Sequence, residues 1–255
     1  MTESIAGYVP RVSVITVVFN GEQFIERTIQ SVIGQSYPAI EYIVIDGSSK
    51  DGTLPIIQKY TDRIAYWVSE PDSGLYDAMN KGLAAATGDY VIFLNAGDTF
   101  FDNDTLNKVF SYWHPGVDIL YGETLIVDDQ GKVVGDRRLK APESLTWKSF
   151  REGMLVCHQS IIIRRSITSP YNLRYRIAAD FDWVLNALKK ANCIVNTHTY
   201  IARFVDGGLN KQKIPIALKE RFIIMAKNYG FLPTFFRHFV IGFRFLIFWW
   251  REKRF

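Results

Sequence analysis

Cysteine is scarce in this sequence, with Cys157 and Cys193 as the two examples among 255 residues. Two thiols without the spacing of metal ligands favour neither a disulfide scaffold nor a zinc site, so we expect a reducing compartment. The first residues also lack a basic segment followed by an apolar core, and we therefore expect no signal peptide. These absences together predict a cytoplasmic protein.

Acidic residues are scarce near the end of the chain. Residues 203–255 carry 11 Lys or Arg and 3 Asp or Glu, whereas residues 1–202 carry 19 and 23. The formal net charge of +4 is therefore a property of the C-terminal segment. A basic segment of this kind suits nucleic acid as one class of partner and an anionic membrane surface as another.

An apolar stretch long enough to cross a membrane is also missing. A membrane-spanning helix needs about 20 mainly apolar residues, and two arginines interrupt the aromatic run at residues 235–250. We predict that this segment forms an in-plane amphipathic helix that binds the anionic inner face of the cell membrane. We do not expect nucleic acid as a partner. A helix packed on the rest of the chain or on a second subunit of a homodimer is the alternative. The basic stripe and the interfacial aromatics are Arg237, Arg244, Arg251, Trp249 and Trp250.

Apolar, β-branched runs alternate with helical patterns in the first part of the chain. Four such alternations predict an α/β fold with a parallel, doubly wound sheet and right-handed crossovers. A hairpin, two further strands and one helix are predicted later. No repeat or low-complexity linker divides the chain, so we predict a catalytic domain at 1–205 and a C-terminal helical appendage at 206–255. The predicted strands are 12–18, 40–45, 63–69, 90–94, 118–127, 132–138, 159–164 and 193–204, and the helices are 22–35, 54–60, 75–86 and 180–190.

Asp46 directly follows the second predicted strand and begins the segment Asp-Gly-Ser-Ser-Lys-Asp-Gly-Thr. A carboxylate there can accept hydrogen bonds from a base or a ribose, and the neighbouring small residues let a ligand approach the backbone. The alternative is an Asx-turn with a helix cap at Ser49 or Asp51.

A second group of polar residues surrounds the fourth predicted strand. The preceding helix carries Asn80 and Lys81, and Asp98 lies in the loop after the strand. Ligands of open α/β sheets lie outside the carboxyl ends of the strands. Lys81 would supply charge to a phosphate, and Asp98 would share Mg²⁺ or Mn²⁺ with phosphate oxygens. A solvated helix face beside an acidic loop is the alternative.

A third group is the pair Asp180 and Asp182 at the start of the last predicted helix of the catalytic domain. Carboxylates two residues apart point in different directions, so one can face the site while the other caps the helix. A general base that takes a proton from a hydroxyl group needs such a carboxylate within hydrogen-bond reach. The alternative is that both are charges that stabilise the helix N-terminus.

Three motifs in consistent order resemble the family 2 glycosyltransferases, and in particular the bacterial subgroup of colanic-acid and other exopolysaccharide enzymes. The resemblance covers roughly residues 10–205. The motifs are Val-Ile-Thr-Val-Val-Phe-Asn at 14–20, Val-Ile-Asp-Gly-Ser-Ser-Lys-Asp-Gly-Thr at 44–53, and Ser-Glu-Pro-Asp-Ser-Gly-Leu-Tyr-Asp-Ala-Met-Asn-Lys-Gly through Phe-Leu-Asn-Ala-Gly-Asp at 69–98.

The resemblance implies an A-type glycosyltransferase fold, with a Rossmann-like, mostly parallel twisted sheet and helices on both faces. It implies an inverting transferase in which Asp180 acts as base beside Asp182, and Asp98 holds diphosphate and a divalent cation. His158-Gln159 matches a subgroup feature, and His158 is a candidate for metal, phosphate or acceptor contact, or for a structural role. The residues implied at the donor are Phe19, Asn20, Asp46, Tyr76, Asn80, Lys81, Asn95 and Asp98.

The chain departs from the usual Asp-x-Asp motif of this family. Asn95 and Gly97 occupy the two acidic positions, and Asp98 follows one place later. Metal stoichiometry and metal dependence are therefore open, and Lys81 would supply part of the missing positive charge. Gly207-Gly208 is a candidate for a flexible edge over the donor, with an ordinary turn as the alternative.

The expected activity is transfer of a sugar from a UDP- or GDP-sugar to a hydroxyl of a lipid-linked saccharide, in exopolysaccharide or lipopolysaccharide synthesis. The alternative is a non-catalytic nucleotide-sugar-binding or scaffold protein of a polysaccharide assembly complex, which the incomplete Asp-x-Asp would suit. A sugar-phosphate nucleotidyltransferase would need a Gly-rich basic loop after the first strand, and Phe19-Asn20-Gly21-Glu22 is not such a loop.

Overall fold

A computed structural model describes residues 7–205 and 214–252, with side chains of the last helix described as far as Val240. Nine strands in the described residues form one sheet in the order β3-β2-β1-β4-β8-β6-β9-β5, with β7 paired to β6. The strands are Val12–Val18 (β1), Ile40–Asp46 (β2), Tyr66–Ser69 (β3), Tyr90–Phe93 (β4), Thr99–Phe100 (β5), Ile119–Val127 (β6), Val133–Asp136 (β7), Ile161–Arg164 (β8) and Ile194–Val205 (β9).

Helices cover both faces of the sheet, as the sequence predicts. Alternate residues of β1 enter opposite apolar layers, with Ile15 in one and Val14 in the other. One layer includes α3 and α5, and the other includes α1 and α4. The helices are Ile25–Ile33 (α1), Thr53–Gln58 (α2), Leu75–Ala85 (α3), Thr105–Phe110 (α4), Ala179–Lys190 (α5), Ile214–Tyr229 (α6) and Phe231–Glu252 (α7).

The first four strands are parallel, which confirms the predicted β/α alternation. Several predicted boundaries were wrong by two or three residues, among them the starts of α1, β3 and β8. α1 begins at Ile25 because the residues before it form a turn closed on the Gly21 carbonyl. β3 begins at Tyr66 and not at residue 63. A short 3₁₀ turn, His158–Ser160, precedes β8 where the sequence predicted strand.

The second half of the sheet is mixed, and this positions the candidate site. β8 pairs antiparallel with β4 and with β6, while β6 pairs parallel with β9. The predicted hairpin is confirmed as β6 and β7. Because β8 runs opposite to β4, the turn before β8 lies beside the loop that follows β4. Residues far apart in sequence therefore meet at this edge.

The helix α6 packs against the body of the protein. Ile224 and Met225 are buried in the same apolar layer as α5, and the Tyr229 ring stacks on Trp147 at 5.5 Å between centroids. The boundary predicted after residue 205 stays a prediction, and α6 shares a core with the residues before it. Among the described residues, no helix is long and apolar enough to cross a membrane.

Glu41 ties β2 to the segment between α3 and β4. Its buried carboxylate accepts hydrogen bonds from Ser13 Oγ at 2.5 Å, Thr87 N at 2.7 Å and Gly88 N at 3.1 Å. Burial raises the pKa of Glu41, but the hydrogen bonds outweigh burial, so its pKa lies below the usual value. The ionised form is therefore bound more favourably in the folded chain than in the unfolded one.

Glu41→Gln is expected to lower the free energy of unfolding at pH 7 by about 1–3 kcal/mol, because buried donors lose their acceptors. The contribution of Glu41 is present above the unfolded pKa and is lost as pH falls through the lower folded pKa. Urea unfolding at several pH values measures this, with the exposed Glu143→Gln as control. If the difference in free energy of unfolding between wild type and Glu41→Gln stayed constant down to about pH 3, this pH dependence would be contradicted.

Candidate active site

Asp98 lies buried in the loop that leaves the carboxyl end of β4. Gln159 Nε2 donates to its Oδ2 at 2.9 Å, and the Val205 N–H donates to its Oδ1 at 3.3 Å. Burial raises the pKa of Asp98 to about 6. The hydrogen bond from Gln159 and the charges of His158 and Arg27 lower this pKa, but they do not outweigh burial. The protein thus holds an acidic group where its ionised form is unfavourable, which is typical of functional sites.

Helix α1 fixes the same loop through Thr28. The Thr28 hydroxyl donates to the Asp98 carbonyl at 2.8 Å and accepts from the Gly97 N–H at 2.9 Å. Gly97 has a φ of +106°, a backbone conformation that glycine adopts without strain. The Gly97 position of the incomplete Asp-x-Asp is therefore suited to the turn, and a β-carbon there would lie 3.4 Å from Arg27 Nη2.

His158 bridges the loop after β4 and the start of α5. Its Nδ1 lies 3.5 Å from Asp180 Oδ2, and its Nε2 lies 3.5 Å from Asn95 Nδ2. His158 is buried, and its neighbour Gln159 contacts Asp98. One short turn thus contacts both the loop and the predicted base.

Asp180 is buried at the first turn of α5. Tyr76 Oη lies 3.3 Å from Asp180 Oδ1 and 2.7 Å from the Ile177 carbonyl oxygen. Burial raises the pKa of Asp180, but the hydrogen bond from His158 and the charges of His158 and Arg221 outweigh it. The pKa therefore lies below its usual value, and Asp180 is ionised at neutral pH.

Asp182 points away from this cluster. Its Oδ2 accepts a hydrogen bond from Asn186 Nδ2 at 3.2 Å, one turn further along α5. Burial raises the pKa of Asp182. The charge of Lys227 and the hydrogen bond from Asn186 lower this pKa but do not outweigh burial. The expectation that the two carboxylates face different directions is confirmed, and Asp180 is the one that contacts His158.

The donor set for a metal ion is small. The described residues contain no cluster of three or more His, Cys, Asp or Glu that would hold a metal. The loop offers the Asp98 carboxylate and the Asn95 Oδ1 atom, which is buried and accepts no hydrogen bond from the described residues. Mg²⁺ uses one or two carboxylates and completes its shell with substrate phosphates and water. The residues therefore fit a divalent ion that binds together with a diphosphate.

The predicted nucleoside residues lie together at the carboxyl ends of β1 and β2. Asn20 Oδ1 accepts from the Lys50 N–H at 2.8 Å, and Phe19 has 63% of its surface exposed. The buried Asp46 carboxylate accepts from Ser49 N at 3.1 Å and from Ser69 Oγ at 2.6 Å. These contacts match the Asx-turn alternative, and the nucleoside role of Asp46 stays a prediction.

Asn80 and Lys81 have partners inside the protein. The Asn80 amide exchanges two hydrogen bonds with the Tyr171 backbone, at 3.0 and 2.6 Å. Lys81 Nζ lies 2.8 Å from Glu70 Oε1 and donates to the Pro71 carbonyl. Their donor roles stay predictions. A phosphate role for Lys81 would require it to leave Glu70.

The sequence did not single out Arg27 or Asp72, which the structure places near the predicted site residues, and it did not predict the contact that Gln159 makes. Gln159 bonds Asp98, and Arg27 lies beside Gly97 with buried Nε and Nη2 atoms that bond no described residue. A β-carbon at Gly47 would lie 2.3 Å from Asp72 Oδ2. No sequence signal marks the contact of Gln159, because that contact depends on the pairing of β8 with β4. The segment with Gly207-Gly208 lies outside the described residues.

Comparison with known proteins identifies the family. The profile described as glycosyl transferase family 2 matches residues 13–169. An uncharacterized glycosyltransferase of Mycobacterium tuberculosis is 36% identical over 187 residues, which are 70% of this chain and 69% of the relative. The glycosyltransferase TuaG of Bacillus subtilis, named for teichuronic acid biosynthesis, is 32% identical over 84% of this chain and 87% of its own.

Solved structures share the fold at low sequence identity. Residues 1–349 of Staphylococcus aureus TarS superpose with a TM-score of 0.69 at 19% identity, covering 90% of this chain and 72% of that one. A mannosyltransferase from Pyrobaculum calidifontis, solved with GDP-Man and Mn²⁺, gives 0.57 at 17% identity, covering 91% and 74%. The predicted A-type fold is confirmed. The chain belongs to glycosyltransferase family 2 and is a glycosyltransferase.

Proposed function

We propose that the protein transfers a sugar from a UDP- or GDP-sugar to a hydroxyl group of a saccharide acceptor, with inversion at the anomeric carbon. The observation that carries the proposal is the continuous contact between the Asp98 loop and Asp180 through His158 and Gln159. A transferase of this kind needs a site for the diphosphate and a base within one substrate length of each other. The contacts of the turn before β8 with both the Asp98 loop and Asp180 support this proposal.

In the proposed reaction, Asp180 accepts the proton of the acceptor hydroxyl while that oxygen attacks the anomeric carbon. The new bond joins the acceptor oxygen to the anomeric carbon, and the bond to the nucleotide diphosphate breaks on the opposite face. His158 and Tyr76 orient the Asp180 carboxylate. Asp98, with Asn95 beside it, would hold a divalent cation, which supplies electrostatic stabilisation of the departing diphosphate when bound.

Relatives and structural neighbours support the substrate classes. TarS has been solved with UDP and with UDP-GlcNAc, and the Pyrobaculum mannosyltransferase with GDP-Man. TuaG is named for teichuronic acid, and a relative from Mycobacterium bovis, 29% identical over 79% of each chain, for PGL/p-HBAD biosynthesis. We propose that the acceptor is a lipid-linked saccharide from which a surface polysaccharide is synthesised.

A panel of nucleotide sugars tests the proposal. Binding to the folded state raises stability by RT ln(1 + [L]/Kd), so a cognate donor should raise the Tm in the presence of Mg²⁺ or Mn²⁺. Release of UDP or GDP with a membrane extract as acceptor then measures transfer. Binding without release in any extract would favour the alternative, a non-catalytic nucleotide-sugar-binding scaffold, which the incomplete Asp-x-Asp supports.

We also propose that α7 associates with the anionic inner face of the membrane. The described part of α7 exposes large apolar side chains, while Arg237 pairs with Glu152. Such a helix inserts its apolar face into the interface and gains attraction from basic residues. Arg244, Arg251, Trp249 and Trp250 lie outside the described side chains. The exposed apolar residues of α7 are Phe231, Leu232, Phe235, Phe236, Phe239 and Val240.

Truncation after Tyr229 is expected to yield a folded protein that binds nucleotide but no longer floats with anionic vesicles. The fold survives because α6, with the buried Ile224 and Met225, is retained. Replacing Phe236 and Phe239 with Ser in the full-length protein tests the same surface without removing the helix. This variant should bind vesicles more weakly and keep the Tm of the wild type. Full-length protein that stays unbound, or a truncated one that unfolds, would make α7 a packing or oligomerisation element instead.

Asp46→Ala tests the nucleoside site. If Asp46 contacts the base or ribose, the affinity for free UDP or GDP falls together with that for the sugar nucleotide, by about 10-fold or more, since a hydrogen bond to a charged group contributes about 1.5–3 kcal/mol. Isothermal titration calorimetry measures both ligands. A lower Tm with an unchanged Kd would support the Asx-turn alternative, and Asp51→Ala is the control for loss of a turn carboxylate.

A further inference from the structure

Glu220, on α6, makes an unusual set of contacts with the segment that leads into α5. Its side chain is buried, with 9% of the residue surface exposed. Oε1 accepts from the Arg176 N–H at 2.8 Å, and Oε2 accepts from the N–H groups of Ile177 and Ala178 at 2.9 Å each. One carboxylate therefore binds three consecutive backbone donors.

These donors belong to residues 176–178, and the last of them, Ala178, directly precedes the helix that carries Asp180. The first N–H groups of a helix have no intrahelical acceptor, and α5 has no side-chain cap at Ala178. A carboxylate placed there is also favoured by the helix dipole. Glu220 thus binds the N–H of Ala178, at the N-cap position of α5, together with those of the two residues before it, and so fixes from α6 the segment that enters the helix.

The same segment is fixed from the opposite side by Tyr76. Ile177 donates its N–H to Glu220 and accepts at its carbonyl from the Tyr76 hydroxyl, at 2.7 Å. Tyr76 also lies 3.3 Å from Asp180 Oδ1. Three residues before Asp180, the backbone is therefore held by a carboxylate from α6 and a phenol from α3.

We propose that Glu220 is a positioning residue for Asp180, and that α6 contributes to the active site by carrying it. The inference rests on the proposed role of Asp180 as base. In the proposed reaction, Glu220 does not contact the substrate. It sets the place of the first turn of α5, and so the distance from the Asp180 carboxylate to the acceptor hydroxyl. The positive charge of Arg221, the next residue, also lowers the pKa of Asp180.

The test is a kinetic comparison of Glu220→Ala with wild type. A displacement of about 1 Å in a reacting group can lower the rate about 100-fold, so kcat should fall by that order. The donor KM and the Kd for the free nucleotide should not change, because Glu220 binds the segment before α5 and not the predicted nucleoside residues at the carboxyl ends of β1 and β2. Lys219→Ala, exposed on the same helix, is the matched control and should behave as wild type.

A double-mutant cycle separates positioning from a general structural role. If Glu220 acts through Asp180, then Glu220→Ala slows the wild type but adds no further loss in the Asp180→Asn background. Equal losses in both backgrounds, or a lower Tm with unchanged kcat, would overturn the inference. Glu220→Gln keeps the side-chain volume and one acceptor oxygen, and should give a folded protein with a smaller loss if the alanine variant does not fold.

Failure of this inference differs from failure of the proposed function. An inactive Asp180→Asn with a fully active Glu220→Gln and Glu220→Ala would leave the base in place and remove the positioning role. Near-normal turnover of Asp180→Asn would remove the base, and with it the reason for a positioning residue.

Discussion

Asp180→Asn is expected to lower kcat by about 10²–10⁴-fold, the usual effect of losing a general base. The amide cannot accept the proton of the acceptor hydroxyl, although its shape and its contact with Tyr76 are retained. Donor affinity should stay nearly unchanged, because in the proposed reaction Asp180 contacts the acceptor hydroxyl and not the nucleotide. Nucleotide release with acceptor present, and calorimetry with nucleotide alone, measure the two quantities.

Asp182→Asn is the matched control, since Asp182 lies on the same helix turn and bonds Asn186 instead of His158. We expect a change in kcat of less than about 3-fold, as for a substitution outside the reacting groups. Near-normal turnover of Asp180→Asn with an inactive Asp182→Asn would move the base to Asp182.

Asp98→Ala is the second substitution with a large expected effect. A divalent cation and a diphosphate bind as one unit, so loss of the Asp98 carboxylate should weaken both together. We expect at least about a 100-fold lower kcat/KM, comparable to removal of one group that stabilises developing charge. Donor titrations over a range of Mg²⁺ and Mn²⁺ concentrations should show that the metal dependence disappears in the variant.

Asp98→Asn separates the metal role from the packing role. The amide can keep a contact with Gln159 and removes a carboxylate that is unfavourable when buried and ionised, so the ligand-free protein should gain stability at neutral pH. Activity should still be lost. Full activity of the wild type in excess chelator would contradict the metal assignment, and would leave cations such as Arg27 and Lys81 to bind the diphosphate.

Sequence patterns predicted the parts of the fold that depend on local periodicity. The apolar runs of β1, β2 and β4 and the amphipathic pattern of α1 gave the parallel half of the sheet correctly. The resemblance gave the family and the order of the motifs. Boundaries failed where a turn competes with a regular element, as before Ile25 and before Ile161.

The contacts that assemble the site depend on long-range pairing and were not predictable from spacing. His158 reaches Asn95 and Asp180 because β8 lies antiparallel to β4, and no local pattern specifies that pairing. Glu220 belongs to a segment that the sequence assigned to a membrane-associating appendage. Its three bonds to the segment before α5 depend on the packing of α6 on the core.

The anomeric configuration of the product tests the central claim most directly. Direct displacement, with Asp180 as base and the nucleotide leaving from the opposite face, must invert the reacting carbon. An α-linked nucleotide sugar should therefore give a β-linked product in the anomeric proton spectrum recorded by NMR. An α-linked product would contradict the account, because retention requires a different arrangement of groups around the anomeric carbon.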